Sequence, residues 1–190
     1  MDVSIIIVNY NTKDLLVNCI DSIYLRTNNF QFEIIVVDNA SEDGSRQILK
    51  KKYPNIQLIE SDVNIGFGAA NNLGVKLAKV EFLFFLNSDT ILVENSIKIM
   101  FDFFKKYENE LNLGVLGTIL IDDHYKTNGF GTHFPMCKEE NIANLKKIPL
   151  LNSLIFVPKK HKYDVTLEYF EIDYILGADL LMRKNLFLKN

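Results

Sequence analysis

Four short runs rich in β-branched and aromatic residues, at positions 4–8, 33–37, 56–60 and 80–86, alternate with segments whose apolar residues recur at helical spacing. The second run starts about 25 residues after the first ends, the reach of a strand, crossover helix and parallel strand and too long for a hairpin. In the first intervening segment Leu16, Cys19, Ile20 and Ile23 fall one helical turn apart, with Thr12 placed to cap them. A weaker helix runs to Tyr53 and stops at Pro54. Ala70, Leu73, Gly74 and Leu77 mark a helix over 66–77, and Ile97, Met100, Phe101 and Phe104 mark another over 95–107. Near-continuous hydrophobic strands between amphipathic helices predict an α/β fold, a mostly parallel central sheet with helices on both faces joined by right-handed crossovers. Beyond residue 113 the pattern loosens. Short strands are expected at 113–116 and 118–121, a long polar stretch at 122–145, and later strands at 150–157, 166–172 and 174–182.

Composition removes several classes of function. With 48% hydrophobic and 24% charged residues in 190, the chain is of ordinary globular type and long enough for one sizeable core. Its 21 basic and 24 acidic side chains give a formal charge of −3, so no bulk positive field gathers nucleic acid or an anionic membrane. Cys19 and Cys137 form neither a metal knuckle nor a disulfide framework, and His124, His133 and His161 lack ligand spacing. Lys159-Lys160-His161-Lys162 reads as a solvated loop. No apolar run reaches membrane-spanning length and no basic leader precedes the first strand, so a cytoplasmic location is expected.

Small and polar residues follow each of the first four strands: Asn9-Tyr10-Asn11-Thr12, Asp38-Asn39-Ala40-Ser41, Asn64-Ile65-Gly66-Phe67-Gly68 and Asn87-Ser88-Asp89. In open α/β sheets the ligand crevice lies outside these carboxyl ends. Turn chemistry and helix capping account for Thr12, Ser41 and Gly44. They account less well for Asp38 and Asp89, carboxylates at the ends of very hydrophobic strands, where desolvation is costly without a partner. A nucleoside diphosphate with a divalent cation suits such a set. Asp38 can accept from a base N–H, and Asp89 can hold Mg²⁺ or Mn²⁺, which keep waters and bridge phosphate oxygens. Gly66-Phe67-Gly68 is followed by Asn71 where a dinucleotide fingerprint has its third glycine, and it follows the third strand instead of the first. No Walker glycine-lysine loop is present.

Taken together, Val3-Ser4-Ile5-Ile6-Ile7-Val8-Asn9-Tyr10-Asn11, Val36-Val37-Asp38-Asn39-Ala40-Ser41-Glu42-Asp43-Gly44-Ser45, Asn64-Ile65-Gly66-Phe67-Gly68-Ala69-Ala70-Asn71-Asn72 and Phe85-Leu86-Asn87-Ser88-Asp89-Thr90 resemble the inverting glycosyltransferases of family 2, with the GT-A fold, and their rhamnosyltransferase-like branch. A fifth block, residues 172–183, is similar to the family's later Asp, Gly-Ala and Arg motif. The resemblance implies that Tyr10 and Asp38 hold the base, with Asp38 taking the imide N–H of uracil or thymine. It places Asn11, Asn64, Gly66, Asn71, Asn87 and Ser88 near the donor, and makes Asp89 the metal ligand of the family's Asp-x-Asp position, whose first acid is here Asn87. Asp173 and Gly177-Ala178 would border sugar and acceptor. Arg183 would either face the diphosphate or make a structural ion pair.

The resemblance further implies a nucleotide-diphospho-sugar donor, dTDP-rhamnose or a UDP-hexose, and as acceptor a hydroxyl of a growing saccharide or lipid-linked carrier in cell-surface polysaccharide synthesis. The enzyme would work in the cytoplasm, with transient proximity to the inner face of the membrane. Single displacement needs a carboxylate to take the acceptor proton. The resemblance places that general base beyond Asn190. The chain is therefore expected to be a truncated single domain, with a nucleotide-binding half at 1–112 and the start of an acceptor-binding half at 113–190. Two other classes compete: a noncatalytic nucleotide-sugar-binding module, and a sugar-nucleotide nucleotidyltransferase, which should show a Gly-rich basic loop after the first strand that residues 9–13 lack.

Overall fold

In the computed structural model the described residues are 1–129, 131–132, 172, 174–175 and 177–189. The expected strand at 150–157, all but the last residue of the one expected at 166–172, and Asp173, Cys137, His133 and His161 lie outside them. The chain divides into two units, Met1–Leu120 with Leu176–Asn190, and Ile121–Ile175.

The first unit is built on a six-stranded sheet. Strands β1 (Val3–Asn9), β2 (Phe32–Asn39), β3 (Gln57–Ser61) and β4 (Phe82–Asn87) are separated by α1 (Lys13–Arg26), α2 (Ser45–Lys52) and α3 (Phe67–Leu77); α4 (Ser96–Tyr107) and β5 (Val115–Leu116) follow. These four strands are mutually parallel, in the order β3-β2-β1-β4, so the α/β expectation holds. Each strand runs a residue or two past its apolar run, which brings Asn9, Asp38, Asn39 and Asn87 inside the sheet.

Alternation then sorts the side chains onto two faces. Ile5, Ile7, Val36, Phe84 and Leu86 pack with Leu16, Cys19, Ile20 and Ile23 of α1, Leu49 of α2 and Ile97, Met100 and Phe104 of α4. Ile6, Ile35, Leu83 and Phe85 pack on the opposite face with Val75 of α3, where Val8 and Val37 also meet Ala70. Right-handed crossovers explain the segregation: β1 to β2 to β3 steps one way with its helices on one face, and the return from β3 to β4 carries α3 across the other. Gly74 lets α3 approach closely, since a Cβ there would lie 2.6 Å from Ile6 Cγ2.

Strand β10 (Asp179–Arg183) inserts antiparallel between β4 and β5, and α5 (Lys184–Phe187) lays Phe187 on Phe85. This return is why residues after 176 group with the first 120 instead of with a block starting at 113. The strand expected over 174–182 is thereby two strands, β9 (Tyr174–Ile175) and β10, separated by a turn at Gly177 and Ala178.

The second unit includes a turn in which Asp122 Oδ1 accepts from the amides of His124 and Lys126. It precedes β7 (Thr127–Gly129), which pairs with β6 (Leu120–Ile121); β8 (Gly131–Thr132) pairs antiparallel with β9. Among the described residues no helix is long and apolar enough to cross a membrane.

Candidate functional site

Strand order reverses between β1 and β4: from β1 the chain steps to β2 and β3 on one side, then returns to β4 on the other. Such a switch point opens a crevice at the carboxyl ends, because the connections leave in opposite directions. A pocket of ≈ 350 Å³ sits there, lined by Val8, Tyr10, Thr12, Asn39, Asn64, Phe67, Asn87, Ser88 and Asp89. Val8 is flanked in register by Val37 and Asn87, so these side chains share the α3 face. Asn39, two residues after Val37, shares it too.

The pocket therefore gathers five of the residues expected from the sequence: Tyr10, Asn64, Asn87, Ser88 and Asp89. Tyr10 and Phe67 are half exposed and offer aromatic surface. Asn39 Nδ2 donates to Asn64 Oδ1 at 2.8 Å, and Asn39 Oδ1 accepts from the Ile65 amide at 2.9 Å. Asn64 Oδ1 also accepts from the Gly66 amide. Gly66, at φ 83 and ψ 160, occupies a backbone region that is essentially glycine's alone. It turns the chain from this anchored loop into α3.

Asp38 stands outside the pocket lining. It is fully buried on the α1 face and does not line the pocket. Its Oδ1 accepts from Arg46 Nε at 2.5 Å and from the Ser41 amide at 3.0 Å, and its Oδ2 from Asn9 Nδ2 at 2.9 Å. Burial pushes its pKa up, but the hydrogen bonds from Ser41, Arg46 and Asn9 outweigh burial and hold the carboxyl below the usual carboxylate value. The physical reason for this placement is parity. Read as a loop residue, Asp38 is free to face a ligand; as the penultimate residue of β2 it faces away, and Asn39 takes the pocket side.

Three other expected residues lie beside the pocket without lining it. Asn11, at φ 54, donates its amide to Ser41 Oγ and accepts from the Glu42 amide, tying the loop after β1 to the loop after β2. Asn71 is buried in α3 with its Nδ2 on the Phe67 carbonyl. Gly66 acts through its backbone. Arg183 takes the ion-pair alternative. Its guanidinium is held by Glu81 and Glu108 and lies over the Phe82 ring. Arg183 pairs with Phe82 at the start of β4, five residues or about 17 Å from the strand end that bears the pocket.

Beneath the pocket a hydrogen-bonded chain crosses the strand ends. Thr12 leaves α1 uncapped by its own side chain, because its hydroxyl donates to Asn9 Oδ1 at 2.7 Å and meets Ser88 Oγ at 2.9 Å. Asp43 serves the helix start instead, accepting from the Lys13 amide at 2.7 Å. Cys19, below the Asn87 carbonyl, has its thiol pushed up to about 12 by burial and then by the negative charge of Asp89, so it stays an inert packing group.

The donor set around Asp89 is all oxygen. One carboxylate, the Asn87 amide and the Ser88 hydroxyl line the pocket together, and among the described residues no cluster of three His, Cys, Asp or Glu could hold a metal by itself. That set fits a hard divalent cation that keeps several waters and shares its coordination with phosphate oxygens; it does not fit a structural zinc site.

The family model for glycosyl transferase family 2 matches residues 4–154. A poly(ribitol-phosphate) beta-glucosyltransferase of Bacillus spizizenii is 38% identical over 146 residues, which are 74% of this chain and 22% of that protein. The crystal structure of Staphylococcus aureus TarS 1-349 in complex with UDP superposes with a TM-score of 0.55 at 21% identity, over 83% of this chain and 50% of that one. A mannosyltransferase from Pyrobaculum calidifontis, solved with GDP-Man and Mn²⁺, superposes with a TM-score of 0.53 at 21% identity, over 64% of this chain and 36% of that one. The two structural likenesses speak for the fold. The chain spans 22% to 50% of the length of these proteins. Its sequence match, sheet order and switch-point pocket agree, and the chain belongs to glycosyl transferase family 2.

Proposed function

We propose that this chain carries the donor-binding part of an inverting glycosyltransferase that moves a hexose from a UDP-linked donor to a hydroxyl of a growing cell-surface polymer of the polyol-phosphate kind. The observation that carries this reading is the layout of the pocket. Two cross-linked amides stand at the β2 side, the rings of Tyr10 and Phe67 join them in the lining, and a carboxylate with neutral oxygens stands at the β4 side. The two sides are two strand spacings apart, about 10 Å, the span of a nucleoside diphosphate from base to phosphates.

Each end has a job. Tyr10 and Phe67 offer ring surface for a base to stack on, and the unspent N–H and lone pair of Asn39 suit the edge of a pyrimidine. Asp89, with Asn87 and Ser88, would hold Mg²⁺ or Mn²⁺ against the diphosphate. When bound, the cation stabilises the charge that builds on the departing diphosphate. The Asn64–Gly66 loop, fixed by Asn39, keeps the wall of the pocket in place while the sugar leaves. The names of the Bacillus relative and of the UDP-bound TarS structure support a uridine donor and a hexose over dTDP-rhamnose, and the relative's poly(ribitol-phosphate) supports the acceptor class. We assign no general base.

Isothermal titration with UDP, dTDP and GDP, each with and without Mn²⁺, tests the proposal. UDP should bind, more tightly with Mn²⁺, and Asp89→Ala should remove the metal-dependent part alone. Absence of binding by any of the three, with or without the metal, overturns it.

A further inference from the structure

The hydrogen-bonded chain beneath the pocket has a fixed direction, and that direction decides what Ser88 can offer a ligand. It starts at Arg46, which only donates: one guanidinium N–H goes to Asp38 and another to the Ser61 carbonyl. Asp38, ionised by these contacts, only accepts. The Asn9 atom facing Asp38 Oδ2 at 2.9 Å must therefore be the amide nitrogen, which leaves Asn9 Oδ1 facing Thr12. Asn9 Oδ1 only accepts, so the single hydroxyl proton of Thr12 goes to it at 2.7 Å. The Thr12 oxygen then has lone pairs alone to offer Ser88. The contact of 2.9 Å between the two hydroxyls is made with the proton of Ser88.

Ser88 spends its one proton below the pocket, on Thr12, while lining the pocket above, beside Asp89. What faces the pocket from Ser88 is lone-pair oxygen. A phosphate oxygen gains nothing from such a group, whereas a hard cation does. We infer that Ser88 Oγ is a second protein ligand of the divalent cation, next to Asp89, and that Thr12 is the positioning residue that turns it. The inference rests on the nucleotide-and-cation reading of the pocket. It also gives a physical answer to Asn87: with a neutral amide where a second carboxylate would stand, the site keeps an extra oxygen ligand without adding charge.

The experiment is UDP titration of the full chain in Mg²⁺, Mn²⁺ and Cd²⁺ and in EDTA, with Mn²⁺ binding followed separately by electron paramagnetic resonance. Ser88→Ala should lower Mn²⁺ affinity and Mn²⁺-dependent UDP affinity at least about tenfold, with UDP affinity in EDTA unchanged. Ser88→Cys should be weak in Mg²⁺ and recover in Cd²⁺, because a thiolate selects the softer ion. Thr12→Val should weaken Mn²⁺ binding in the same way and Thr12→Ser should restore it. Ser88→Ala with undiminished Mn²⁺ binding overturns the inference. So does an equal loss of UDP affinity in EDTA, which would make Ser88 a phosphate donor. Failure of the unaltered chain to bind UDP in any metal strikes the proposed function instead.

Discussion

Asp38 and Asn39 are consecutive at the end of β2 and face opposite sides of the sheet, one sealed against Arg46 and Asn9, the other lining the pocket beside Asn64. Neighbouring polar residues therefore have separable roles. Asn39→Ala should weaken UDP binding by roughly fivefold to tenfold, the worth of one or two hydrogen bonds, with a small change in melting temperature. Asp38→Ala should do the reverse and lower the melting temperature by several degrees, since it leaves Arg46 and Asn9 without their shared acceptor. Calorimetric titration and thermal unfolding of both variants check the pair. A large loss of UDP affinity in an Asp38 variant that keeps its melting temperature would restore the base-reading role to Asp38.

Why one carboxylate lines the pocket and the other does not is a matter of strand ends. Apolar runs fixed β1 to β4 and the helices between them to within about two residues, and chemistry drew attention to the polar residues that follow. Position 89 lies beyond β4, where the chain is free to turn its carboxylate into the crevice. Position 38 is still in the ladder, and a strand buried on both faces shows no polar alternation by which to tell the sides apart. Asn39 was visible as a polar residue but not as a pocket residue for the same reason, whereas Thr12, beyond β1, was accounted for as the cap of α1. Arg183 lay open between two roles because strand direction decides it: β10 runs antiparallel to β4, which carries Arg183 to the end remote from Asp89.

Asp179 gives the fold a pH dependence. It starts β10, is buried, and is bonded by the Thr118 amide and hydroxyl. Burial raises its pKa to about 6 from the ordinary 3.8, against the pull of those hydrogen bonds. The folded state thus holds this proton more tightly than the unfolded chain. The group's stabilising contribution is complete below pH 3.8 and is lost as pH rises to about 6, a change of roughly 3 kcal/mol. Asp179→Asn, which cannot ionise and can keep the Thr118 amide bond, should flatten this part of the profile and match or exceed the parent at pH 7.5. Urea unfolding at several pH values between 4 and 7.5 measures it; parallel profiles for the two chains would refute the assignment.

Close packing of α3 is equally open to test. An added methyl at Gly74 meets Ile6 Cγ2 at 2.6 Å and Val37 Cγ2 at 3.4 Å, both on the sheet. Overpacking of this kind costs about 1–3 kcal/mol, against a gain of up to about 1 kcal/mol from replacing glycine in a helix. Gly74→Ala should therefore destabilise, and its cost should shrink when measured in an Ile6→Ala background, where the Cγ2 that it meets is gone. Urea midpoints decide it, and a more stable single variant would mean that α3 stands further from β1.

The central claim, that the crevice between β1 and β4 seats a nucleoside diphosphate with a cation at Asp89, is tested most directly by paramagnetic broadening of backbone amide resonances. With UDP present and Mn²⁺ added well below the protein concentration, amides of Thr12, Ser88 and Asp89 should disappear first, while those of Glu81, Phe82 and Arg183 at the other end of β4 stay sharp. Broadening centred on Glu81 and Arg183, or spread evenly over exposed carboxylates, would contradict the account.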